Sequence, residues 1–245
     1  MTVDAERHYE IAEEMFGLDR GADRDVAQRL SEALLAHDTV RPEELAPQLE
    51  GASVQVLGPR PGGAEDLDPQ RPIVAAGGAV RQALSAGVQP TLVVTDLDGS
   101  DMAHEMFSRA GVPMAVHGHG DNRALIDRLL PELEGPLLGT SQTDPPDQPV
   151  PLYRFGGFTD GARACFLAES LGAARVELVG WDFEEPIGGD PVKQKKLNLA
   201  ARLLEDLEIP LTVQEPREPE ASSFEELDLG DSISVDVDDA ERPDG

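Results

Sequence analysis

Thr91–Leu92–Val93–Val94–Thr95–Asp96–Leu97–Asp98–Gly99 is a short apolar run that breaks into a polar turn carrying two carboxylates. The apolar part does not alternate with polar residues, as expected of a strand covered on both faces. Similar runs lie on either side of it, and strands are expected at 53–57, 73–76, 91–95, 113–117, 137–139, 175–180 and 211–213. Helical periodicity fills most of the gaps, at 79–86, 100–110, 122–134, 160–172 and 193–208. This alternation predicts an α/β fold, a mostly parallel sheet with helices on both faces. Ligands of such sheets bind beyond the carboxyl ends of the strands, so the residues that follow each strand are the candidates for function.

Upstream, residues 1–50 read as helical. Val26, Leu30, Ala33 and Leu34 share a face, Asp23 or Asp25 is a candidate cap, and a short helix is expected after Pro42. The organisation expected is a small helical N-terminal region at 1–51, an α/β catalytic domain at 52–214 and an acidic tail at 215–245. The tail holds 12 acidic and two basic residues and reads as disordered, with the alternating Ile233–Ser234–Val235–Asp236–Val237 as an alternative edge strand.

The 245 residues hold 48 Asp and Glu against 20 Lys and Arg, a formal net charge of −28. So negative a field disfavours nonspecific binding to nucleic acid. No apolar stretch is long enough for a membrane helix, and the start MTVDAERHYE lacks the pattern of a signal peptide. A cytoplasmic location is therefore expected. The single Cys165 excludes an intrachain disulfide framework and a multi-cysteine zinc site. Of the 20 basic residues only three are lysines, Lys193, Lys195 and Lys196. Excess acid with almost no lysine resembles the surface of a protein from a high-salt cytoplasm, where screening tolerates self-repulsion.

The strand ends are rich in polar and glycine residues. Asp96 and Asp98, two apart in an extended chain, point the same way and repel unless a cation bridges them or one is protonated. Mg²⁺ suits such oxygen ligands; a turn with an Asp cap is the plainer alternative. His117–Gly118–His119–Gly120–Asp121–Asn122 offers metal ligands, proton carriers or hydroxyl partners, while Asn122 also suits a helix cap. In Gly157–Phe158–Thr159–Asp160–Gly161, Thr159 or Asp160 can cap the next helix, and the same N-terminus suits an anion that Arg163 could reach. Lys193 and Lys196 share a helical face that suits a polyphosphate, with a solvated face as the alternative; Asp182 just before them could orient them or complete a metal site. Gly58–Pro59–Arg60–Pro61–Gly62–Gly63 matches neither a Walker A sequence nor a G-x-G-x-x-G fingerprint, and His104 reads as a helix residue.

Four segments occur in an order that resembles the archaeal 6-hydroxymethyl-7,8-dihydropterin pyrophosphokinases. They are Val93–Val94–Thr95–Asp96–Leu97–Asp98–Gly99, His117–Gly118–His119–Gly120–Asp121–Asn122, Gly156–Gly157–Phe158–Thr159–Asp160–Gly161–Ala162–Arg163–Ala164 and Gly180–Trp181–Asp182–Phe183. Phe16–Gly17–Leu18, Gly58–Pro59 and Lys193–Gln194–Lys195–Lys196–Leu197 fit too, and the resemblance spans roughly residues 9–213. The catalytic domain of that family is similar to thiamine pyrophosphokinases. This chain departs from the pattern at Gly77–Gly78–Ala79, where an acidic Ala-Asp-Gly-Ala type is expected, at Arg60 and at Trp181.

The resemblance implies diphosphate transfer from Mg·ATP to the primary hydroxyl of the pterin. AMP leaves, and the product serves tetrahydrofolate or methanopterin-type cofactors. It implies Mg²⁺ on Asp96 and Asp98 with help from Asp121 or Asp182, and ATP phosphates on Gly58, Lys193, Lys196 and Arg163. His117 or His119 would assist the hydroxyl, and Asn122, Thr159, Asp160 and Asp182 would contact substrate. The partners implied are ATP and a small pterin, with neither nucleic acid nor membrane; a homo-oligomer is compatible with the sequence. Rival readings are a haloacid-dehalogenase-type phosphatase with Asp96 as nucleophile, a thiamine pyrophosphokinase-like enzyme, and a relative of flagellin-modification proteins.

Overall fold

A seven-stranded, wholly parallel sheet forms the centre of the computed structural model, which describes residues 4–145, 147–184 and 189–214. The acidic 215–245 segment, including the 233–237 alternation, lies outside the described residues. The strands are β1 (Ser53–Leu57), β2 (Ile73–Ala76), β3 (Leu92–Thr95), β4 (Met114–Gly118), β5 (Leu137–Ser141), β6 (Arg175–Val179) and β7 (Leu211–Val213). All seven expected strands are present, three with the expected bounds and four with ends shifted by one or two residues. The order across the sheet is β5-β4-β3-β2-β1-β6-β7. The chain therefore walks outward from β1 to β5, then returns across the sheet to place β6 beside β1.

The helices are α1 (Ala5–Phe16), α2 (Arg20–Ala33), α3 (Pro42–Leu45), α4 (Ala79–Ser85), α5 (Asp101–Arg109), α6 (Arg123–Leu129), α7 (Asp160–Ser170) and α8 (Pro191–Leu204). Alternate strand residues feed two cores. Val54, Val56, Val74, Val94 and Ala115 face α7 and α8, whereas Ile73, Ala75, Val93, Met114 and Val116 face the layer of α2, α4, α5 and α6. Each fully buried Val or Leu contributes about 1.5–3 kcal/mol, which is why these strands read as unbroken apolar runs.

The long return from β5 to β6 runs through α7, which packs over β1, β2, β3 and β6. Its N-terminus is thereby delivered to the carboxyl ends of the middle strands. The N-terminal helices join the same two cores, with Ala12 of α1 on one side and Val26, Ala27 and Leu30 of α2 on the other. Helix α2 begins earlier than its apolar periodicity suggests. Asp19 caps it, accepting from the N–H groups of Gly21 and Ala22. Asp23, a candidate cap in the sequence, is instead buried within the helix.

Candidate functional site

The turn after β3 is held in an uncommon backbone conformation. Leu97 has φ +70°, the one positive φ at a non-glycine residue among the described residues. For a leucine this costs about 1–2 kcal/mol. Its side chain is fully buried, and its N–H donates to Thr95 Oγ1 at 2.8 Å. Thr95 Oγ1 in turn meets His104 Nε2 at 2.9 Å, so α5 braces the turn from behind. The chain doubles back between the two aspartates, and the Asp98 N–H donates to Asp96 Oδ1 at 3.2 Å. The expectation that an extended backbone aligns the pair is thus corrected: a left-handed turn brings them together.

A third carboxylate completes the group. Thr159 takes the capping role at α7, accepting from the Ala162 N–H at 3.3 Å, which leaves the neighbouring Asp160 side chain for other contacts. Carboxylate oxygens of Asp96, Asp98 and Asp160 lie within 4.8 Å of one another. Neither Asp121 nor Asp182, the alternatives for a further metal ligand that the resemblance implied, is in this group. Three hard oxygen donors at one point fit a cation such as Mg²⁺. The β2–α4 turn flanks them closely: Gly77 has φ +51°, and a Cβ there would lie 2.8 Å from Asp160 Oδ2.

The charges on the three are graded. Burial works to raise Asp96, yet the His119 hydrogen bond and the Arg163 charge outweigh it and hold the carboxyl down at about 2. Burial and the Asp96 charge push Asp98 up. Asp160, more deeply buried and facing Asp96, is pushed up to about 8, although Arg163 Nη1 donates to its Oδ1 at 3.0 Å.

The two histidines after β4 part ways. His119 Nε2 is 3.2 Å from Asp96 Oδ2, and its Nδ1 accepts from the Asp121 N–H at 3.4 Å, so the Nε2 proton points at the carboxylate. His117 is buried; its Nδ1 meets Thr140 Oγ1 at 3.0 Å, and its Nε2 has no hydrogen-bond partner. Burial, with the nearby Arg163 charge, pushes its pKa well below the usual histidine range. Asn122 precedes α6 without capping it. Its Oδ1 accepts from the His119 N–H, and its Nδ2 donates to the carbonyls of Asp96 and His117, clamping the two turns together. Asp121 is exposed and not among the clustered carboxylates.

At the start of α8 the lysines separate. Lys195 Nζ donates to the Met15 carbonyl at 2.5 Å and lies over the Phe16 ring, tying α8 to α1. Lys193 and Lys196 are exposed, and the Lys196 charge acts on Asp98. Asp182 lies 3.6 Å from Arg60 and accepts from the Glu184 N–H. At Gly58 the close approach is taken by Trp181, whose Nε1 donates to the Val56 carbonyl and whose ring fills the space beside both Gly58 and Gly161.

Two residues anchor these loops from the N-terminal helices: Asp23, expected only as a helix cap, and His8, for which no role was expected. Asp23 accepts from Tyr9 Oη at 2.5 Å, from the Gly120 N–H at 2.6 Å and from Gln142 Nε2 at 2.9 Å. His8, 1% exposed, accepts from the Gly157 N–H on Nδ1, and its Nε2 lies 3.0 Å from Asp206. A polar residue on the apolar face of α2, at the spacing of Val26, Ala27 and Leu30, was the available signal for Asp23. No comparable pattern singles out His8.

Residues 65–188 match the protein family described as MptE-like, 6-hydroxymethylpterin diphosphokinase. The 6-hydroxymethyl-7,8-dihydropterin pyrophosphokinase of Methanothermobacter thermautotrophicus is 36% identical over 212 residues, covering 79% of this chain and 89% of that protein. The protein of the same name from Pyrococcus furiosus is 39% identical over 214 residues, covering 80% and 90%. That of Methanocaldococcus jannaschii is 30% identical over 232 residues, covering 82% and 93%. Among solved structures, a MAf glycosyltransferase from Magnetospirillum magneticum AMB-1 superposes with a TM-score of 0.53 at 14% identity, over 82% of this chain and 39% of that one. That likeness concerns the fold alone.

Proposed function

This chain belongs to the MptE-like 6-hydroxymethylpterin diphosphokinase family, and from that premise we propose that it transfers diphosphate from ATP to the primary hydroxyl of 6-hydroxymethyl-7,8-dihydropterin. The pterin hydroxyl oxygen attacks the β-phosphorus and its proton is released to solvent, the bond from that phosphorus to the α-phosphate oxygen breaks, and AMP leaves. The product is the pterin diphosphate, a precursor of tetrahydrofolate or methanopterin-type cofactors. The observation that carries the reading is the convergence of Asp96, Asp98 and Asp160 at the strand ends, with Arg163 bonded to one of them and Lys196 close to another.

Asp96, Asp98 and Asp160 would hold Mg²⁺, which when bound neutralises and orients phosphate oxygens. The remaining tasks are positioning and charge neutralisation. His119 keeps Asp96 ionised and fixes its rotamer through the 3.2 Å contact. Because its Nε2 proton faces Asp96, His119 is a positioning residue in this arrangement rather than the base for the hydroxyl. Lys193 and Lys196, with Arg163, would offset the triphosphate charge; Thr159 and Asn122 hold the turns on which the carboxylates sit.

The test is incubation with ATP, MgCl₂ and the dihydropterin alcohol in molar KCl, with thiamine as the alternative acceptor. AMP and pterin diphosphate in equal amounts are expected. Phosphate release with an acyl-phosphate on Asp96 would overturn the reading in favour of a phosphatase, and AMP formation with thiamine alone would reassign the acceptor.

A further inference from the structure

Beside the carboxylate group, beneath α1, lies a narrow pocket lined by Tyr9, His117, Ser141, Tyr153, Gly157 and Arg163. Two of its polar groups are nine-tenths buried with bonding capacity to spare. The Arg163 side chain is 10% exposed, and among the described residues its guanidinium makes one hydrogen bond, to Asp160. His117 is 2% exposed, and its Nε2 has no partner.

The state of His117 follows from its neighbour. The Thr140 hydroxyl donates its one proton to the Val116 carbonyl at 3.1 Å, so toward His117 it can only accept. Nδ1 therefore carries the ring proton. With the ring buried beside a guanidinium the neutral form is favoured, although the Gln142 side chain beside the ring works the other way, and Nε2 is left as an acceptor without a hydrogen bond. A buried acceptor and a buried fork of donors thus line one pocket. Leaving either unmatched is costly, which makes the pair selective for a ligand with the complementary pattern.

We propose that this pocket is the subsite for the flat heterocycle of the acceptor, with His117 Nε2 accepting from a ring N–H or exocyclic amino group and Arg163 donating to an exocyclic carbonyl oxygen. This rests on the diphosphate-transfer reading and adds to it which residues read the acceptor. A 2-amino-4-oxo pyrimidine edge has that donor and acceptor pair. Tyr9 and Tyr153, the two tyrosines of the chain, line the pocket and supply apolar faces for the ring. The pocket is narrower than a bicyclic ring, so entry requires the Tyr153–Gly157 segment or α1 to give way. Gly156 and Gly157, both at positive φ, form the turn in that segment. His117, one of the two histidines that the resemblance implied for assisting the hydroxyl, becomes a specificity residue.

The test measures binding of 6-hydroxymethylpterin to the full chain by calorimetry without nucleotide, alongside steady-state kinetics, for wild type, His117→Asn and Tyr153→Leu. Tyr153→Leu keeps the test informative if His117→Asn fails to fold. Each variant is expected to raise the acceptor KM about tenfold, the scale of one lost hydrogen bond or ring contact, with the KM for ATP unchanged. Wild type should bind the 2,4-diamino analogue about tenfold more weakly, since Arg163 then faces an amino group. AMP formation with both variants matching wild type in acceptor affinity would overturn the subsite and leave the reaction standing. Binding of the pterin without AMP formation would overturn the reaction and support the subsite. Neither binding nor turnover would overturn both.

Discussion

At neutral pH and without a bound cation, Asp160, pushed up to about 8, carries a proton, while Asp96, held down at about 2, does not. The two act on stability in opposite directions. Asp160 takes up its proton more readily folded than unfolded, so its contribution is complete below the ordinary carboxylate range and is lost as pH rises through about 8. The Asp96 contribution is present above that range and is lost as pH falls toward about 2. With chelator present, the melting temperature should therefore fall between about pH 5 and pH 8 and level off above, and saturating Mg²⁺ should remove that fall because a metal ligand must be deprotonated. A flat profile in chelator would argue against a protonated Asp160. Asp96→Asn should abolish turnover, by at least ~100-fold, with an unchanged circular dichroism spectrum; near-normal activity would remove Asp96 from the site. Asp160→Asn should instead raise the Mg²⁺ concentration needed for half-maximal rate, a readout that a purely structural role would leave alone.

Elements meet at this site because of how the chain crosses the sheet. The return from β5 to β6 carries the start of α7 over the middle strands, and α1 and α2 grip the loops from opposite layers. Asp23 concentrates three of those contacts on one buried carboxylate. Asp23→Ala would leave the Gly120 N–H, the Tyr9 hydroxyl and the Gln142 amide without their acceptor. A destabilisation of about 2–4 kcal/mol in denaturant melts is expected, since each buried unsatisfied group costs on the order of 1–3 kcal/mol. A loss below 0.5 kcal/mol, about the size of an ordinary surface substitution, would show that the N-terminal helices are held by their apolar faces alone. On α8, the joint change Lys193→Ala and Lys196→Ala should raise the KM for ATP several-fold, while Lys195→Ala should act on stability instead, because its ammonium is committed to Met15 and Phe16. An unchanged KM in the double variant would return Lys193 and Lys196 to a solvated face.

For the molecule as a whole, a charge of −28 sets two demands. The folded chain repels itself, so its melting temperature should climb steadily as KCl is raised to the molar range, and a salt-independent melt would contradict the high-salt reading. The same field opposes an incoming triphosphate. Arg163, bonded to Asp160, and Lys196, near Asp98, supply local positive charge where the reaction needs it, in a chain with three lysines in all.

Strand positions, the parallel sheet and the polar strand ends could all be read from the sequence, because burial on both faces writes unbroken apolar runs and turns need glycine and small polar residues. The pairing of Asp96 with Asp98 was legible for the same reason. Their partner was not. Asp160 stands 62 residues beyond Asp98 and beside a threonine equally able to cap α7. Only the path of the β5–β6 return, and Thr159 taking the cap, turn its carboxylate to the other two. The split between His119 and His117 is likewise tertiary. Their spacing suggests a shared task, but Asp96 claims one ring and the Thr140 hydroxyl fixes the proton of the other. Local sequence determines which backbone and which side chains are available; the contacts that decide a proton's position come from residues far along the chain, and a hydrogen bond has no sequence periodicity to announce it.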